Sequence, residues 1–483
     1  MNPIKIAIQK RPILTGLISA ALILLIIQFF IPREKEYQAQ VDPKEFTKAF
    51  EEAYAAEIEP NGEIKEFDLR ANETTLSLVD GVGFQGFAYN DQAPGPIWRV
   101  EKGNTLRINF NNELPQETTI HFHGIRVPNA MDGVPGVTQD PIQPGESFVY
   151  EFTPKDAGTY WFHPHVRSSE QIEKGLYGVI VVEDSSEPAY SQDMAWVVDD
   201  WRLRNDGTLD ENFNTSHDLV HDGRWGNLIT VNGKTDHQLT AAPGERIRLR
   251  LINVSNGRVY KLDFGSLQAQ AIAVDGMLVK IPFDANDFEL APGNRLDVDL
   301  VIPSDSAGKS FSILDTFVLG RAKILGTIKV EGEITSAPDF EIPTNPNIPD
   351  WAGAENLEPD KTYNLNTGPG HMGMGMMALS WTMNGKAYPD YDPLTLDQGE
   401  FQMIEFNNLS ARLHPMHLHG QFFKVLSRNG KPVDEPYFRD TVLVHPREKV
   451  MIGLVPLDEG SWMNHCHILE HAEAGMMSIV EVR

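Results

Sequence analysis

The sequence has a single cysteine, Cys466, among 483 residues, so no internal disulfide can form. This excludes the disulfide-stapled scaffolds that many small secreted domains use. Positive charge is also scarce, because 41 lysines and arginines stand against 68 aspartates and glutamates, and the formal net charge is −27. A field of this sign repels nucleic acid and attracts cations, so we expect no nucleic-acid partner.

A long apolar run occupies residues 13–31 and follows three basic residues. Such a run is long enough to cross a bilayer, which takes roughly 20 apolar residues. Its bulky end at Phe29, Phe30 and Ile31 makes a poor signal-peptidase site. We therefore predict an uncleaved membrane anchor in residues 1–32, with a cleaved signal segment as the alternative. The basic residues on the short N-terminal side favour a periplasmic or otherwise extracytoplasmic body.

Residues 33–59 are predicted to form a helical spacer. Pro43 suits the first position of a helix. Phe46, Phe50 and Tyr54 recur every four residues and would share one helix face. We expect this face to dock on the body of the protein.

From about residue 60 onward, short alternating runs are broken by glycine and proline, of which the chain has 39 and 32. Alternation with a period of two predicts strands. Three such runs each follow a Pro-Gly turn, and they occupy residues 147–153, 246–252 and 295–302. Repeated units of this kind predict an all-β chain of β-sandwich domains. The predicted divisions are 60–188, 189–338 and 339–483.

Histidine is concentrated in four clusters. Ten of the 15 histidines belong to them, namely His121 and His123; His163 and His165; His414, His417 and His419; and His465, His467 and His471. Side chains two apart on a strand point to the same face, so each close pair can approach one site. Because the clusters fall in the first and third domains, we predict a metal site at the interface between these domains.

Cys466 lies between two of these histidines. On a strand His465 and His467 face one way and Cys466 faces the other, an arrangement that would connect two metal centres. A thiolate with two imidazoles and a weak thioether is the ligand set of a blue-copper electron-transfer site. The partners predicted for the thiolate are His414, His471 and Met476.

The other face would gather eight imidazoles. Such a set suits copper better than a hard ion such as calcium. Zinc takes four ligands per ion and has no redox use for a cysteine bridge. The predicted metal is therefore copper.

The four clusters match the motifs H-x-H-G, H-x-H, H-x-x-H-x-H and H-C-H-x3-H-x4-M, intact and in order. From about residue 60 to its end, the chain therefore resembles the multicopper oxidases, which include laccases and bacterial cuprous oxidases. The resemblance implies three cupredoxin-like Greek-key domains and four copper ions: one type 1, one type 2 and a type 3 pair. By this resemblance the type 1 ligands are His414, Cys466, His471 and Met476. The type 2 ligands are His121 and His417, and the type 3 ligands are His123, His163, His165, His419, His465 and His467.

The resemblance also implies a reaction. Electrons from a reductant would enter singly at type 1 copper, cross Cys466, and reduce oxygen to water at the three-copper cluster. Asp132 matches an acid near the type 2 copper of similar proteins. Glu473 matches the acid of the laccase pattern H-x-E-A-G, whereas cuprous oxidases carry an acid where this chain has Ala472. Both acids are predicted to relay protons.

A methionine-rich segment bears on the reductant. Its predicted Cu(I)-binding residues are His371, Met372, Met374, Met376 and Met377. Thioethers select Cu(I), and similar segments lie over the type 1 site of bacterial cuprous oxidases. A flexible apolar loop is an equal alternative. Ser410 also stands where those oxidases carry an aspartate. Cu(I) is the predicted substrate, a small phenol or aromatic amine the second choice, and Fe(II) the third.

Other interpretations are less favoured. A copper-free structural or cell-division factor of this fold would lack several ligands, and copper storage would not need the His-Cys-His bridge. His217 and His221 lie four apart among acidic residues and could bind a metal, but an exposed polar loop is the favoured interpretation. His237 and His445 carry no supporting pattern. We expect a monomer.

Overall fold

The computed structural model describes residues 43–54, 57–335, 341–349, 357–372 and 376–483. The predicted membrane anchor lies outside these residues. Within the described part of the chain, no helix is both long and apolar enough to span a membrane.

The first sandwich consists of two four-stranded sheets, ordered β2-β1-β4-β6 and β3-β8-β7-β5. Its strands are β1 (Ile64–Val79), β2 (Val82–Tyr89), β3 (Ile97–Glu101), β4 (Thr105–Asn112), β5 (His121–His123), β6 (Ser147–Phe152), β7 (Gly158–His163) and β8 (Gly178–Glu183). A 3₁₀ turn at Asn129–Met131 and a short helix at Ser168–Glu173, here α2, lie in its loops.

The second sandwich has a six-stranded sheet, β10-β9-β12-β17-β14-β15, and a five-stranded sheet, β11-β19-β18-β13-β16. Its strands are β9 (Gln192–Trp201), β10 (Leu228–Val231), β11 (Gln238–Ala241), β12 (Arg246–Asn253), β13 (Tyr260–Asp263), β14 (Gln268–Val274), β15 (Met277–Asp284), β16 (Glu289–Leu290), β17 (Arg295–Val301), β18 (Ser310–Asp315) and β19 (Lys323–Val330). Helix α3 (Ser216–Val220) lies between β9 and β10.

The third sandwich repeats the same plan, with sheets β21-β20-β23-β28-β25-β26 and β22-β30-β29-β24-β27. Its strands are β20 (Lys361–Met372), β21 (Met376–Met383), β22 (Leu394–Leu396), β23 (Gln402–Asn408), β24 (His414–Leu418), β25 (Lys424–Arg428), β26 (Lys431–Pro432), β27 (Thr441–Val444), β28 (Lys449–Leu454), β29 (Gly460–Cys466) and β30 (Met477–Val482). Helix α4 (Leu469–Glu473) follows β29.

Each of the six sheets formed by the described residues contains one parallel strand pair among antiparallel neighbours. These pairs are β1·β4, β3·β8, β9·β12, β11·β19, β20·β23 and β22·β30. The repetition confirms the prediction of an all-β chain built from three cupredoxin-like sandwiches. The division at 60–188, 189–338 and 339–483 stays a prediction.

Alternation of apolar residues explains the burial pattern of many strands, but in one of the predicted strands the polar side chains are buried too. In β4 only every second residue is buried, as expected for a sheet with one wet face. In β12, however, Arg248 and Arg250 are buried as well. Arg250 donates to Thr159 of β7 at 2.8 Å and pairs with Asp297 at 2.9 Å. The polar face of this strand is therefore an interface between the first two sandwiches, held by paired charges.

The spacer helix, α1, runs from Pro43 to Ala53 and presents one aromatic face to the third sandwich. Phe46, Phe50 and Tyr54 are all buried, as predicted. Phe50 lies 4.9 Å from the ring of Phe438 and contacts Phe401 as well. The helix is therefore part of the folded body.

Candidate metal centre

Two pairs of neighbouring strands bring the predicted histidines together. His121 of β5 lies opposite His163 of β7, and His417 of β24 lies opposite His465 of β29. His123, His165, His419 and His467 each stand two residues further along. The first and third sandwiches therefore present all eight imidazoles to one buried site, as the spacing predicted.

The ring nitrogens of these histidines form three overlapping groups with ligand atoms within 4.8 Å of one another. The groups are His121, His417 and His419; His121, His123 and His163; and His165, His419 and His465. Several of the nitrogens are buried with no hydrogen-bond partner among the described residues, namely His121 Nε2, His123 Nδ1, His163 Nε2, His165 Nε2, His417 Nε2 and both nitrogens of His467. Such orphaned polar atoms are costly unless a ligand satisfies them, and copper fits this donor set.

One contact has the geometry expected of two ligands of one metal ion. His419 Nδ1 donates to Asp132 Oδ2 at 2.9 Å, and His465 Nδ1 donates to the Cys466 carbonyl at 2.9 Å. The proton of each neutral ring is therefore on Nδ1, and both Nε2 atoms carry lone pairs. These Nε2 atoms lie 3.1 Å apart. Two lone pairs cannot form a hydrogen bond with each other, so both nitrogens are open to one metal ion.

The site keeps its imidazoles neutral. Burial, aided by the neighbouring imidazoles, lowers the pKa of His465 to about 3. The pKa values of five others lie well below the usual range for the same reason, and these are His123, His163, His165, His419 and His467. Neutral imidazoles are the form that binds transition metals.

Asp132 holds two of the histidines in place. Its two carboxylate oxygens lie 3.1 Å from His121 Nδ1 and 2.9 Å from His419 Nδ1. Its side chain is buried and follows the 3₁₀ turn of the first sandwich, whereas His419 belongs to the third. The acid predicted from the sequence therefore joins two sandwiches at the site.

A second carboxylate in contact with the histidines was missed by the sequence analysis. Asp440 Oδ1 lies 3.2 Å from His123 Nε2, and the Asp440 carbonyl accepts from His417 Nδ1 at 2.9 Å. Arg295 of the second sandwich binds the carboxylate at 2.6 and 3.0 Å. Burial raises the pKa of Asp440, but Arg295 and His417 outweigh this and hold it below the usual range.

The turn before Arg295 also touches the site. Gly293 has φ +89°, and a Cβ there would lie 2.9 Å from His123 Cε1 and 3.0 Å from His467 Cδ2. The second sandwich has none of the eight histidines, but it supplies this close backbone approach and the arginine. Glycine is needed here for both its conformation and its lack of a side chain.

A smaller centre lies on the opposite face of β29. Cys466 Sγ lies 3.6 Å from His414 Nδ1 and 3.8 Å from His471 Nδ1, and the two nitrogens are 3.3 Å apart. Each ring is bonded through its other nitrogen, His414 to Ser410 Oγ at 2.9 Å and His471 to the carbonyl of His221 at 2.7 Å. Both Nδ1 atoms are therefore directed at the sulfur.

The backbone places Met476 beside the same cysteine. The Met476 carbonyl accepts from Cys466 N at 3.1 Å, and Met476 N donates to the His471 carbonyl at 3.0 Å. The Met476 side chain is fully buried. Burial also raises the pKa of the Cys466 thiol, so a metal ion must displace its proton to bind the thiolate.

Glu473 lies at the end of α4, between the first and third sandwiches. It accepts from Ser169 N and Oγ, both at 2.8 Å, and from Asn214 Nδ2 at 2.7 Å. Ser169 follows His165 by four residues. A second acid, Glu470, was not singled out from the sequence, and burial raises its pKa to about 7.

The methionine-rich segment forms the end of the β20–β21 hairpin, where His371 pairs with Met377 and Met372 with Met376. Met374 lies outside the described residues, as do the side chains of residues 369–379. The predicted role of this segment in binding Cu(I) therefore stays a prediction.

Known proteins match most of the chain. Three multicopper oxidase family models match residues 70–187, 193–325 and 360–483. The multicopper oxidase MmcO of Mycobacterium tuberculosis is 30% identical over 80% of this chain and 81% of its own length. A multicopper oxidase structure from Pseudomonas thermotolerans has a TM-score of 0.75 and 32% identity, covering 87% of this chain and 99% of that one. One from Campylobacter jejuni, titled a metallo-oxidase, has a TM-score of 0.72 and 27% identity, covering 88% and 93%.

Proposed function

This chain belongs to the multicopper oxidase family, and we propose that it couples the one-electron oxidation of Cu(I) to the four-electron reduction of oxygen to water. The observation that supports this most is strand β29, which directs Cys466 to one centre and His465 to the other. A storage protein needs no such connection between two metal sites. The copper-free alternative is disfavoured because every predicted ligand is present.

The proposed copper ligands follow the resemblance residue by residue. The type 1 set is His414, Cys466, His471 and Met476, and the type 2 set is His121 and His417. The type 3 set is His123, His163, His165, His419, His465 and His467. Bound copper would supply one-electron chemistry and oxygen activation.

The remaining residues prepare the site for that chemistry. Asp132 fixes the rings of His121 and His419, which keeps their Nε2 lone pairs aimed inward. Reduction of oxygen to water also consumes protons, and we propose that Asp132 and Glu473 hold and pass them. Ser169 and Asn214 donate to Glu473 and keep its carboxylate oriented between α2 and α4.

Cu(I) is the proposed reductant for two reasons. The predicted Cu(I)-binding residues are His371, Met372, Met374, Met376 and Met377, and two of them, Met376 and Met377, lie on β21 with Trp381, whose ring lies 4.2 Å from that of His471. The net charge of −27 favours a cationic substrate. A laccase-like oxidase of phenols or aromatic amines is the second candidate, because the neutral Ser410 hydroxyl, rather than a carboxylate, contacts His414.

Oxygen uptake by the copper-loaded enzyme separates the two candidates. Cu(I), Fe(II) and a simple phenol are supplied in parallel to the wild type and to a variant with Met372, Met374, Met376 and Met377 changed to leucine. If the protein is a cuprous oxidase, we expect fast turnover with Cu(I) in the wild type and slow turnover in the variant. Fast turnover with the phenol, unaffected by the leucines, would instead establish a laccase. A matched control is Met403→Leu, which alters a buried methionine of β23.

The cellular setting is also a proposal. We propose a monomer located outside the cytoplasm, in the periplasm, and held to the membrane by residues 1–32. Fractionation of cells that express the full chain tests the location and the attachment together, because a cleaved signal would release the body from the membrane fraction.

A further inference from the structure

Helix α3 of the second sandwich lies directly over the centre formed by Cys466, His414 and His471. Three hydrogen bonds attach the helix and the two residues that follow it. Trp381 Nε1 donates to the Leu219 carbonyl at 2.7 Å, His471 Nε2 donates to the His221 carbonyl at 2.7 Å, and Leu413 N donates to Asp222 Oδ1 at 2.9 Å. The position of the helix is therefore fixed relative to that centre.

His217 of the helix and His221, the residue that caps its C-terminus, are hereafter the surface histidine pair. Their rings stack with centroids 4.1 Å apart, and the His217 side chain is 70% exposed. His221 Nδ1 donates to the His217 carbonyl at 2.9 Å, so its Nε2 carries the lone pair. Imidazole is the commonest side-chain ligand of transition metals in proteins.

The acids around the pair are engaged in holding the helix. Asp218 is buried, caps α3 together with Thr215, and pairs with Arg202 at 2.7 Å. Asp222 accepts from Leu413, next to His414. The groups available to a ligand are therefore imidazoles, which suit copper and similar borderline ions.

We propose that the surface histidine pair is the docking site for the substrate metal ion, and that His221 passes its electron to His471. This inference rests on the proposed function. The proposed electron path runs through covalent bonds from the His221 ring to the His221 carbonyl, and then through the 2.7 Å hydrogen bond from that carbonyl to His471 Nε2. Rotation of the exposed His217 ring brings a second nitrogen to the ion. Each Cu(I) releases one electron and leaves as Cu(II), and four of them reduce one oxygen molecule, with four protons, to two water molecules.

The test compares the wild-type holoenzyme with His217→Ala, His221→Ala and the double variant. His221→Ala keeps the carbonyl that His471 contacts, because that group belongs to the backbone. The control is His237→Ala, which removes a histidine of the same sandwich that contacts Trp196. Oxygen uptake is measured with Cu(I) and with a phenol, and Ag(I), a redox-inert analogue of Cu(I), is titrated calorimetrically.

The expected result is a fall of roughly tenfold in kcat/KM for Cu(I) relative to the phenol in the double variant, the size of effect that loss of supporting ligands produces. One Ag(I) equivalent should also be lost. Unchanged Ag(I) binding and an unchanged ratio of kcat/KM for Cu(I) to that for the phenol would overturn the proposal. An equal loss of activity with both substrates, together with a shifted blue absorption band, would also overturn it, because it would show that the two histidines have a structural role. If the wild type oxidises only the phenol, the proposed cuprous oxidase function is refuted. Ag(I) binding that the wild type retains and the double variant loses would then show that the surface histidine pair still binds a metal ion, so the two proposals can fail separately.

Discussion

At the scale of single residues, the site depends on groups that bind one ring nitrogen of several histidines and leave the other nitrogen free. Asp132, Asp440, Ser410 and the carbonyls of Cys466 and His221 all do this. Such outer partners orient a ligand and raise its basicity, and their loss typically costs about 10–100-fold in metal affinity or activity. The chain therefore carries a preformed arrangement of lone pairs.

Asp132→Asn tests this orientation. His121 Nδ1 keeps the main-chain carbonyl of residue 132 as an acceptor at 3.0 Å, but an asparagine side chain has one acceptor oxygen and no charge, so it cannot contact both His121 and His419 as the carboxylate does. We expect oxygen reduction to fall by roughly 10–100-fold, with a weakened type 2 copper signal in electron paramagnetic resonance and an intact blue band. Asp140→Asn, at an exposed site in the same loop, is the control. An unchanged type 2 signal in Asp132→Asn would contradict the positioning role.

Glu173 gives a pH dependence of stability. It is buried against Arg224, and burial raises its pKa from 4.5 to about 7 despite that partner. Between these pH values the folded state holds a proton that the unfolded state has released, so stability falls as pH rises through this range. The loss is at most about 3 kcal/mol, since one pKa unit corresponds to about 1.4 kcal/mol.

Denaturant unfolding of the wild type and Glu173→Gln at a series of pH values checks this. The variant stays neutral at every pH, like the protonated carboxyl of Glu173, so its free energy of unfolding should vary less from pH 5 to 7. The surface variant Glu73→Gln should keep the wild-type slope. A Glu173→Gln slope equal to that of the wild type would exclude Glu173 as the source.

At the scale of elements, function depends on the two faces of single strands and on short helices at the seams. Strand β29 separates the two centres, α4 places His471 and Glu473, and α3 covers the cysteine centre. Helix α1 differs from these because it carries none of the proposed site residues. Its aromatic face is buried against Phe401 and Phe438, so it belongs to the core of the third sandwich.

Phe50→Ala tests the contribution of α1. Phe50 is fully buried, and its truncation leaves a cavity between α1 and the third sandwich. Replacement of a buried phenylalanine by alanine costs about 3–5 kcal/mol. We expect a loss of this size in the free energy of unfolding, with the blue band unchanged in the folded enzyme. Lys48→Ala, on the exposed face, should cost little, and a similarly small loss in Phe50→Ala would show that the helix docks weakly.

At the scale of the whole molecule, side-chain directions along one strand could be predicted from the sequence, whereas contacts between different sandwiches could not. The spacing of His121 and His123, or of His465 and Cys466, determines which way side chains point on a strand, and both proposed centres were inferred from it. Arg295 and Asp440 are 145 positions apart and meet only when the second and third sandwiches pack, so no local pattern indicates them. The His221 carbonyl is a backbone group that every residue type has, so the amino-acid sequence cannot indicate its contact with His471.

The net charge of −27 is a property of the whole molecule with a kinetic consequence. It raises the local concentration of a cationic reductant, and added salt screens this attraction, with a Debye length of about 10 Å at 0.1 M. We therefore expect kcat/KM for Cu(I), supplied as its cationic acetonitrile complex, to fall as a non-coordinating salt is added. Turnover of a neutral phenol should change much less. Equal salt dependence for both reductants would mean that the charge does not guide the substrate, and only the local ligands would then select it.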